Sequence, residues 1–294
     1  MTVQARPMPV ARATEPRRFS IGGIPLHTAV IFIAILWNIP TLGLIVSSFR
    51  PPALVSSTGW WTAFVPPFQF TLENYQRVLT TNNMATSFIN SLVISIPATI
   101  IPLAIATYAA YAFAWMKFPG RRTLFLILIA LLVIPLQTTL VPVLRMFTSV
   151  GLNGTFPAVW LAHTGYGLPL TIYLMRNFIG SLPADLFEAA SIDGASPLVT
   201  FFRIVVPLSV PALASVAIFQ FLWVWNDLLV ALVFLGGTPA VAPVTVTVSN
   251  LVNSLGQNWQ LLTAAAFIAS ALPLVVFLAL QRYFVRGLLA GSYR

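Results

Sequence analysis

Long apolar stretches, separated by short polar segments, make up most of this chain. Six of them are long enough to cross the hydrocarbon layer of a bilayer, which takes about 20 residues each, and they lie near residues 27–49, 86–114, 122–147, 155–178, 204–235 and 260–285. Lipid offers no water to an open backbone, so such stretches fold as helices, and continuous runs do not fit the short alternating segments of a transmembrane barrel. The pattern predicts an all-α polytopic membrane protein with six transmembrane helices.

Prolines interrupt or border several of these stretches, among them Pro40, Pro97, Pro102, Pro135, Pro142, Pro169 and Pro273. Proline removes a helical hydrogen bond and kinks the helix, which a membrane tolerates where neighbouring groups satisfy the freed carbonyl. Kinked helices suit an internal cavity or a moving gate. Ordinary use of proline in transmembrane helices explains the pattern equally well.

Composition agrees with a membrane protein and excludes other classes. Hydrophobic residues are 58% of the chain and charged residues 7%, with a mean hydropathy of +0.90, whereas soluble domains carry about 25% charged residues. The net charge is +9, but the charges are too scattered for a surface that follows a nucleic-acid backbone, so no nucleic-acid partner is expected. The chain has no cysteine, which excludes thiolate metal sites and a cysteine nucleophile.

The basic residues predict the orientation of the helices. With the N-terminus in the cytoplasm, 12 of the 15 basic residues fall on the cytoplasmic side, and Arg50, Arg77 and Arg145 do not. The positive-inside rule therefore places both termini in the cytoplasm. The expected organisation is a cytoplasmic N-terminal tail, residues 1–26, followed by a six-helix transmembrane domain, residues 27–294.

Two longer segments are expected on the outer side. Residues 50–85 contain Trp60-Trp61, which suit a membrane interface, and a short helix predicted from Thr71 onward. Residues 236–259, which begin with two glycines, are predicted as a second outer loop.

A polar island at residues 179–203 is the most informative interruption. Pro183 and Asp185 favour a helix start, Gly194 permits a sharp turn, and Pro197 favours a second start. The island is therefore predicted as a helix–turn–helix along the cytoplasmic face.

The side chains of the island suit contact with another protein. Leu186 and Phe187 supply apolar anchors, Glu188 can meet a partner arginine, and Asp193 can cap the second helix or pair across the turn. The alternative is a plain interfacial connector that joins two transmembrane helices.

The island resembles the cytoplasmic EAA signature of the membrane subunits of ATP-binding-cassette (ABC) importers. Glu188-Ala189-Ala190, Asp193-Gly194-Ala195 and the later Ile204, Pro207-Leu208 and Pro211 follow that signature. Further runs resemble the maltose-type carbohydrate permeases, namely Leu72-Glu73-Asn74-Tyr75, Phe118-Pro119-Gly120, Trp225-Asn226-Asp227 and residues 282–291. The resemblance covers roughly residues 27–294, and only Gly291-Ser292-Tyr293-Arg294 departs from the usual ending of relatives.

The resemblance implies a permease subunit that moves a sugar, of di- or oligosaccharide size, by alternating access driven by a separate ATPase subunit. It implies that the ATPase docks on Leu186, Phe187, Glu188, Ala189, Ala190, Asp193, Gly194, Ala195 and Pro207. The implied partners are a second homologous permease, two ATPase subunits, an extracytoplasmic sugar-binding protein and membrane lipid. The implied location is the cytoplasmic (inner) membrane of a bacterium or archaeon.

The chain carries no phosphate loop of its own. Its one lysine, Lys117, is followed by Phe118, so no Gly-Lys-Ser/Thr motif exists. The chain is therefore not expected to be an enzyme or to hold a cofactor or metal, and ATP and magnesium belong to the implied partner ATPase.

Residues of a substrate path are harder to identify. An ionisable residue within a membrane span is a functional candidate, and Asp227 in the fifth stretch is the strongest one. The predicted path consists of Asn90, Phe219, Trp223, Asn226 and Asp227, since aromatic rings cover the apolar face of a sugar and polar groups bind its hydroxyls. Equally open is that Asp227 caps a broken helix and that Asn90 joins two helices.

An ion-coupled secondary carrier is the alternative function. It would need its own ion site, for which one buried acid is weak support, and it leaves the polar island unexplained. A membrane enzyme ranks last, because neither His-Glu-x-x-His nor Gly-x-Ser-x-Gly occurs.

Overall fold

A computed structural model describes residues 24–80, 83–251 and 258–290. All regular secondary structure in those ranges is helical, and no strand occurs in them, which confirms the all-α class. The chain divides into two compact units, residues 1–44 and 45–294. The first unit contains most of α1, and the second contains the other helices.

The helices are α1 (Ile24–Ser48), α2 (Pro52–Ser57), α3 (Glu73–Thr80), α4 (Met84–Trp115), α5 (Arg121–Leu131), α6 (Leu136–Ser149), α7 (Phe156–Ile179), α8 (Ala184–Ile192), α9 (Pro197–Thr200), α10 (Val206–Trp225), α11 (Leu229–Leu235), α12 (Val244–Leu251) and α13 (Trp259–Ala290). A 3-10 turn, Trp60–Phe64, follows α2, and a π-helical turn, Phe201–Val205, joins α9 to α10.

Four helical segments within the described ranges are long and apolar enough to cross a membrane, and they are Pro25–Ser48, Met84–Trp115, Pro197–Trp225 and Trp259–Gln281. Helices α5 and α6 give a fifth crossing if they count as one bent span. The predicted number of six transmembrane helices is not confirmed, because α7, although 24 residues long, is not among the segments apolar enough to cross a membrane. Helix α7 packs against α4, α10 and α11, and a helix covered by protein needs a less apolar sequence than one covered by lipid.

Two of the predicted spans are interrupted in the structure. The stretch at 122–147 bends by 100° between α5 and α6, where Pro135 is the N-cap of α6. The stretch at 204–235 is split by residues 226–228 into α10 and α11. Proline explains the first break, since it cannot continue the hydrogen bonds of the preceding helix. Each stretch was predicted as one helix, and the structure has two.

Small side chains let α4 and α7 approach closely. Ala98, Ala106 and Ala110 on α4 and Ala158 on α7 are fully buried, as is the neighbouring Val159. Lipid tails are as apolar as the helix surfaces, so the hydrophobic effect does not bring helices together within the membrane. Close van der Waals packing therefore supplies much of the contact energy. These two helices therefore form the framework to which α10 and α11 attach.

The surroundings of Arg50 explain why this basic residue is tolerated on the predicted outer side. Its guanidinium is buried and donates to the carbonyl of Gly59 at 3.0 Å and to the hydroxyl of Thr62 at 3.0 Å. The backbone carbonyl of Arg50 accepts from the amide of Asn74 at 2.8 Å. The charge is thus solvated by the segment that follows α1 rather than by water, and it ties that segment to α3.

The predicted second outer loop is partly helical and packed. Helix α12 lies within it, and its Val244 and Val246 are buried. Val244 N donates to the hydroxyl of Ser91 at 2.9 Å, and the hydroxyls of Ser87 and Thr247 are 2.6 Å apart. The loop prediction is therefore corrected at α12, which is bound along α4. The predicted tail up to residue 23 and the atypical ending at 291–294 lie outside the described residues.

Candidate functional site

The polar island begins with a helix, as the sequence predicts. Helix α8 starts at Ala184, with Pro183 as its N-cap and Asp185 in its first turn. Proline has no amide hydrogen to leave unpaired at this position, and an acidic side chain is favourable near the positive end of the helix dipole.

A sharp turn ends α8. Ala195 N donates to the carbonyl of Ala190 at 2.9 Å, and Asp193 is the C-cap residue. Gly194 between them has a φ of +72°, a left-handed conformation that glycine adopts without a steric cost. The turn predicted at Gly194 is present.

The second helix of the island differs from the prediction. Ser196, not Asp193, is the N-cap of α9, and its hydroxyl accepts from Val199 N at 3.4 Å. Helix α9 has four residues and continues through the π-helical turn into α10, so that Pro197–Trp225 is one helical segment of 29 residues. The island therefore leads directly into a membrane-spanning helix, a continuity that its local turn signals do not reveal.

One face of α8 packs against the transmembrane helices. The ring of Phe187 stacks on Trp115 at a centroid distance of 3.9 Å and an angle of 17°, and it also stacks on Tyr111 at 6.2 Å. The indole of Trp115 donates to the carbonyl of Ile179 at 2.9 Å. Phe187 thus anchors α8 to the end of α4, instead of pointing outward as a docking residue.

The opposite face of the island is exposed. Of the nine predicted docking residues, Leu186, Glu188, Ala189, Asp193, Gly194 and Pro207 are exposed, Phe187 and Ala195 are half-buried, and Ala190 is buried. Two apolar side chains that the sequence analysis did not select are exposed beside them, Ile192 by 86% and Leu198 by 55%. The signal that could have identified Ile192 is an isoleucine at the end of an otherwise polar turn.

Asp227 caps a broken helix. It lies between α10 and α11, and its carboxylate accepts from Val230 N at 3.3 Å and from Ala231 N at 3.0 Å. The hydroxyl of Thr245 donates to its backbone carbonyl at 2.6 Å. The prediction that Asp227 sits within a helix is wrong, and its geometry matches the capping alternative.

A buried histidine connects Asp227 to an aromatic side chain. His163 on α7 is fully buried, and its Nε2 lies 3.7 Å from Oδ2 of Asp227. The ring of Trp223 meets the His163 ring edge-on at 5.1 Å. The structure thus brings Trp223 and Asp227 together through a residue that the sequence analysis left out of the path.

The other predicted path residues have separate surroundings. Asn90 is buried, and its amide donates to the carbonyls of Ala240 at 3.0 Å and Ala242 at 3.1 Å. It therefore holds the segment before α12 against α4. Phe219 is exposed, and the amide of the exposed Asn226 donates to the carbonyl of Leu222 at 2.7 Å. No group of three or more His, Cys, Asp or Glu side chains within the described ranges is arranged to hold a metal ion.

Known proteins match this chain over a range that includes both the polar island and Asp227. Residues 100–289 match the family described as "Binding-protein-dependent transport system inner membrane component". The osmoprotective compounds uptake permease protein of Synechocystis sp. is 62% identical over 92% of this chain and 92% of its own length. The α-glucoside transport system permease protein of Rhizobium meliloti is 51% identical over 85% of this chain and 67% of its own length.

Solved structures have a similar fold. A chain of a bacterial alginate ABC transporter, in complex with an alginate pentasaccharide-bound periplasmic protein, superposes with a TM-score of 0.65 at 16% identity. The match covers 88% of this chain and 94% of that one.

Proposed function

Because the chain belongs to the binding-protein-dependent transport system inner membrane components, and among them to the sugar permeases of ABC importers, we propose that its polar island receives a separate ATPase subunit. The observation that carries this proposal is the division of α8 into two faces. Phe187 binds one face to Trp115, while Leu186, Glu188 and Ile192 are exposed on the other. Exposed apolar side chains next to a carboxylate suit a protein surface with a basic rim.

The continuity of the island with α10 provides a path for movement. A displacement of the exposed face of α8 is transmitted at Phe187 to the end of α4, and through Ser196 and α9 into the helix that ends at Trp225. The break at Asp227 lies directly beyond that end. ATP-driven movement at the cytoplasmic side thus reaches the region of His163 and Trp223, as alternating access requires.

The complete importer that we propose contains this chain, a second homologous permease, two ATPase subunits and an extracytoplasmic sugar-binding protein. ATP and magnesium bind to the ATPase subunits. Both termini of this chain face the cytoplasm, which is supported by the excess of basic residues predicted on that side. Family membership gives no support to the alternative of an ion-coupled carrier.

The proposed substrate is a small sugar with an α-glucosidic or similar linkage. Its support is the similarity of this chain to an α-glucoside permease, over 85% of its length. The predicted path residues Trp223, Phe219, Asn226 and Asp227 remain candidates to line the route. Asn90, Asn226 and Asp227 are weaker candidates than the two aromatic residues, because the hydrogen bonds of their side chains go to backbone groups.

Co-purification tests the docking face. The chain is extracted from its native membrane in mild detergent, and its bound proteins are identified for the wild type, for Glu188→Lys and for the matched control Glu73→Lys, which makes the same charge change at an exposed acid of α3. We expect an ATPase and a second permease with the wild type and the control, and loss of the ATPase with Glu188→Lys. Full recovery of the ATPase with Glu188→Lys would place the docking face elsewhere.

A further inference from the structure

The bend between α5 and α6 and the end of α10 border the same cavity. The cavity has a volume of about 290 Å³ and is lined by Ile134 and Leu136 from the bend and by Trp223 from α10, three residues before the second break. Interrupted membrane helices commonly surround the substrate in transporters, since irregular backbone is tolerated where it lines a cavity. The position of this cavity is therefore suitable for a substrate site.

The lining of the cavity matches the two faces of a sugar ring. Tyr166 and Trp223 provide aromatic rings, which cover the apolar face of a sugar. Thr139 and Tyr166 both line it, and their hydroxyls lie 3.1 Å apart. The Thr139 hydroxyl also donates to the carbonyl of Leu136 at 2.7 Å, so the remaining lone pairs of the two hydroxyls can accept a hydrogen bond from a sugar hydroxyl. Gly165, on the same wall, adds no side chain that would fill the space.

The aromatic wall is held in place from behind. The His163 ring is packed edge-on against Trp223 at 5.1 Å, and Nε2 of His163 lies 3.7 Å from the Asp227 carboxylate that caps α11. A ring that is fixed before the ligand arrives loses little conformational entropy on binding. The contact with His163 therefore fixes the orientation of the Trp223 ring.

Charge and size restrict the ligand. Among the residues that the structure describes, no Asp, Glu, Lys or Arg lines the cavity, so a charged substrate would lose its hydration without a counter-charge. The volume is at the lower end of the range for ligand pockets, about 300–1,000 Å³. The cavity therefore suits one neutral sugar ring rather than a whole oligosaccharide.

We propose that this cavity is a sugar subsite that binds one neutral glycosyl ring, stacked on Trp223 and hydrogen-bonded by Tyr166 and Thr139. The proposal rests on the proposed function, and it adds that this chain contacts the sugar itself and contributes to selection among sugars. Trp223 was a predicted path residue, whereas Thr139 and Tyr166 are new to the path.

Uptake of several sugars by the assembled importer tests the subsite. The importer is purified with its own ATPase, second permease and binding protein, reconstituted in proteoliposomes, and supplied with radiolabelled glucose, maltose, trehalose and raffinose. The variants are Trp223→Leu, Tyr166→Phe and Thr139→Val, and the matched control is Thr148→Val, an exposed threonine of α6 whose hydroxyl bonds only within its own helix. Because the binding protein is the same throughout, a change in the ratio of uptake rates between two sugars belongs to the permease.

We expect Tyr166→Phe and Thr139→Val to change at least one uptake ratio by roughly fivefold, the effect of one lost hydrogen bond, and Trp223→Leu to change it more. Thr148→Val should leave every ratio at the wild-type value. A merely structural role would lower the uptake of all sugars equally, so unchanged ratios in all three variants would overturn the subsite. If the wild-type importer took up none of the sugars, the proposed function would fail first, and that result is distinguishable because it needs no variant.

Discussion

The two helix breaks next to the cavity differ in what holds them open. At the first, between α5 and α6, Pro135 is the N-cap and makes no side-chain capping bond, and α5 has no buried residue. At the second, Asp227 accepts two backbone N–H groups of α11, whose Val230, Ala231 and Phe234 are buried. The first break is thus set by the covalent structure of proline, and the second by tertiary contacts.

This difference indicates which break can change its angle at a low cost. A change at the first breaks no side-chain cap and moves α5, which has no buried residue, although its Phe125 packs against Phe113 with ring centroids 5.4 Å apart. A change at the second strips the Asp227 cap and unpacks α11, so the second break acts as the fixed side of the cavity. Three substitutions test this contrast, in order of expected effect.

Removal of the cap should have the largest effect. Asp227→Ala deletes the acceptor of Val230 N and Ala231 N in a mostly buried position, and we expect a loss of about 3 kcal/mol. Thermal unfolding of the purified chain in detergent should show a midpoint lower by roughly 6 °C. Asp227→Asn keeps one acceptor oxygen and should lose about half as much. Equal midpoints for the wild type and Asp227→Ala would show that the cap does not hold the second break.

Crowding of the α7–α10 contact should have the next largest effect. A Cβ at Gly167 would lie 2.6 Å from the amide nitrogen of Gln220 on α10, and that amide donates to the carbonyl of Ala98 at 3.2 Å. Gly167→Ala should therefore cost about 2 kcal/mol through overpacking.

Gly165→Ala is the matched control on the same helix, because a Cβ there meets no atom within 4 Å. It should leave the unfolding midpoint unchanged or slightly raised, because alanine is more stable than glycine in a helix interior by about 0.5–1 kcal/mol. The same midpoint for both alanine variants would mean that Gln220 moves aside freely, and that α10 is less fixed before the second break than its packing indicates.

Replacement of the proline at the first break should have the smallest effect on stability. Pro135→Ala removes no side-chain bond, and the backbone bond from Thr138 N to the carbonyl of residue 135, 3.1 Å long, does not depend on the side chain. We expect a change below about 1 kcal/mol, from the greater freedom of the unfolded chain. A midpoint as low as that of Asp227→Ala would show that the first break is as tightly held as the second, and would remove the contrast.

The sequence predicts the class of the fold and the island well, because both depend on local chemistry. Long apolar runs, Pro183 before α8 and the positive φ of Gly194 all follow from the residues at those positions. The same local reasoning fails where the environment of a side chain depends on contacts with distant or irregular segments. The sequence places the charge of Arg50 on the outer side but does not reveal that carbonyls and hydroxyls of the following segment enclose it.

The cavity was not predictable for a related reason. Thr139, Tyr166 and Trp223 come from three helices, and nothing near any of them in the chain indicates that they meet. The cap at Asp227 was one of two open interpretations, since only the position of the Val230 and Ala231 amides separates a capping carboxylate from one that faces a substrate. His163 was not placed in the path, because a lone histidine has no spacing pattern that indicates more than a packed role.

The stack of Phe187 on Trp115 has a mechanical consequence. Two parallel rings with centroids 3.9 Å apart keep most of their contact when one slides over the other, whereas lifting them apart exposes both faces to water. The junction between α8 and α4 should therefore yield to shear and resist tension. A force that drags α8 sideways would be dissipated there, and a force that pulls it away from the membrane would be carried into the helices above.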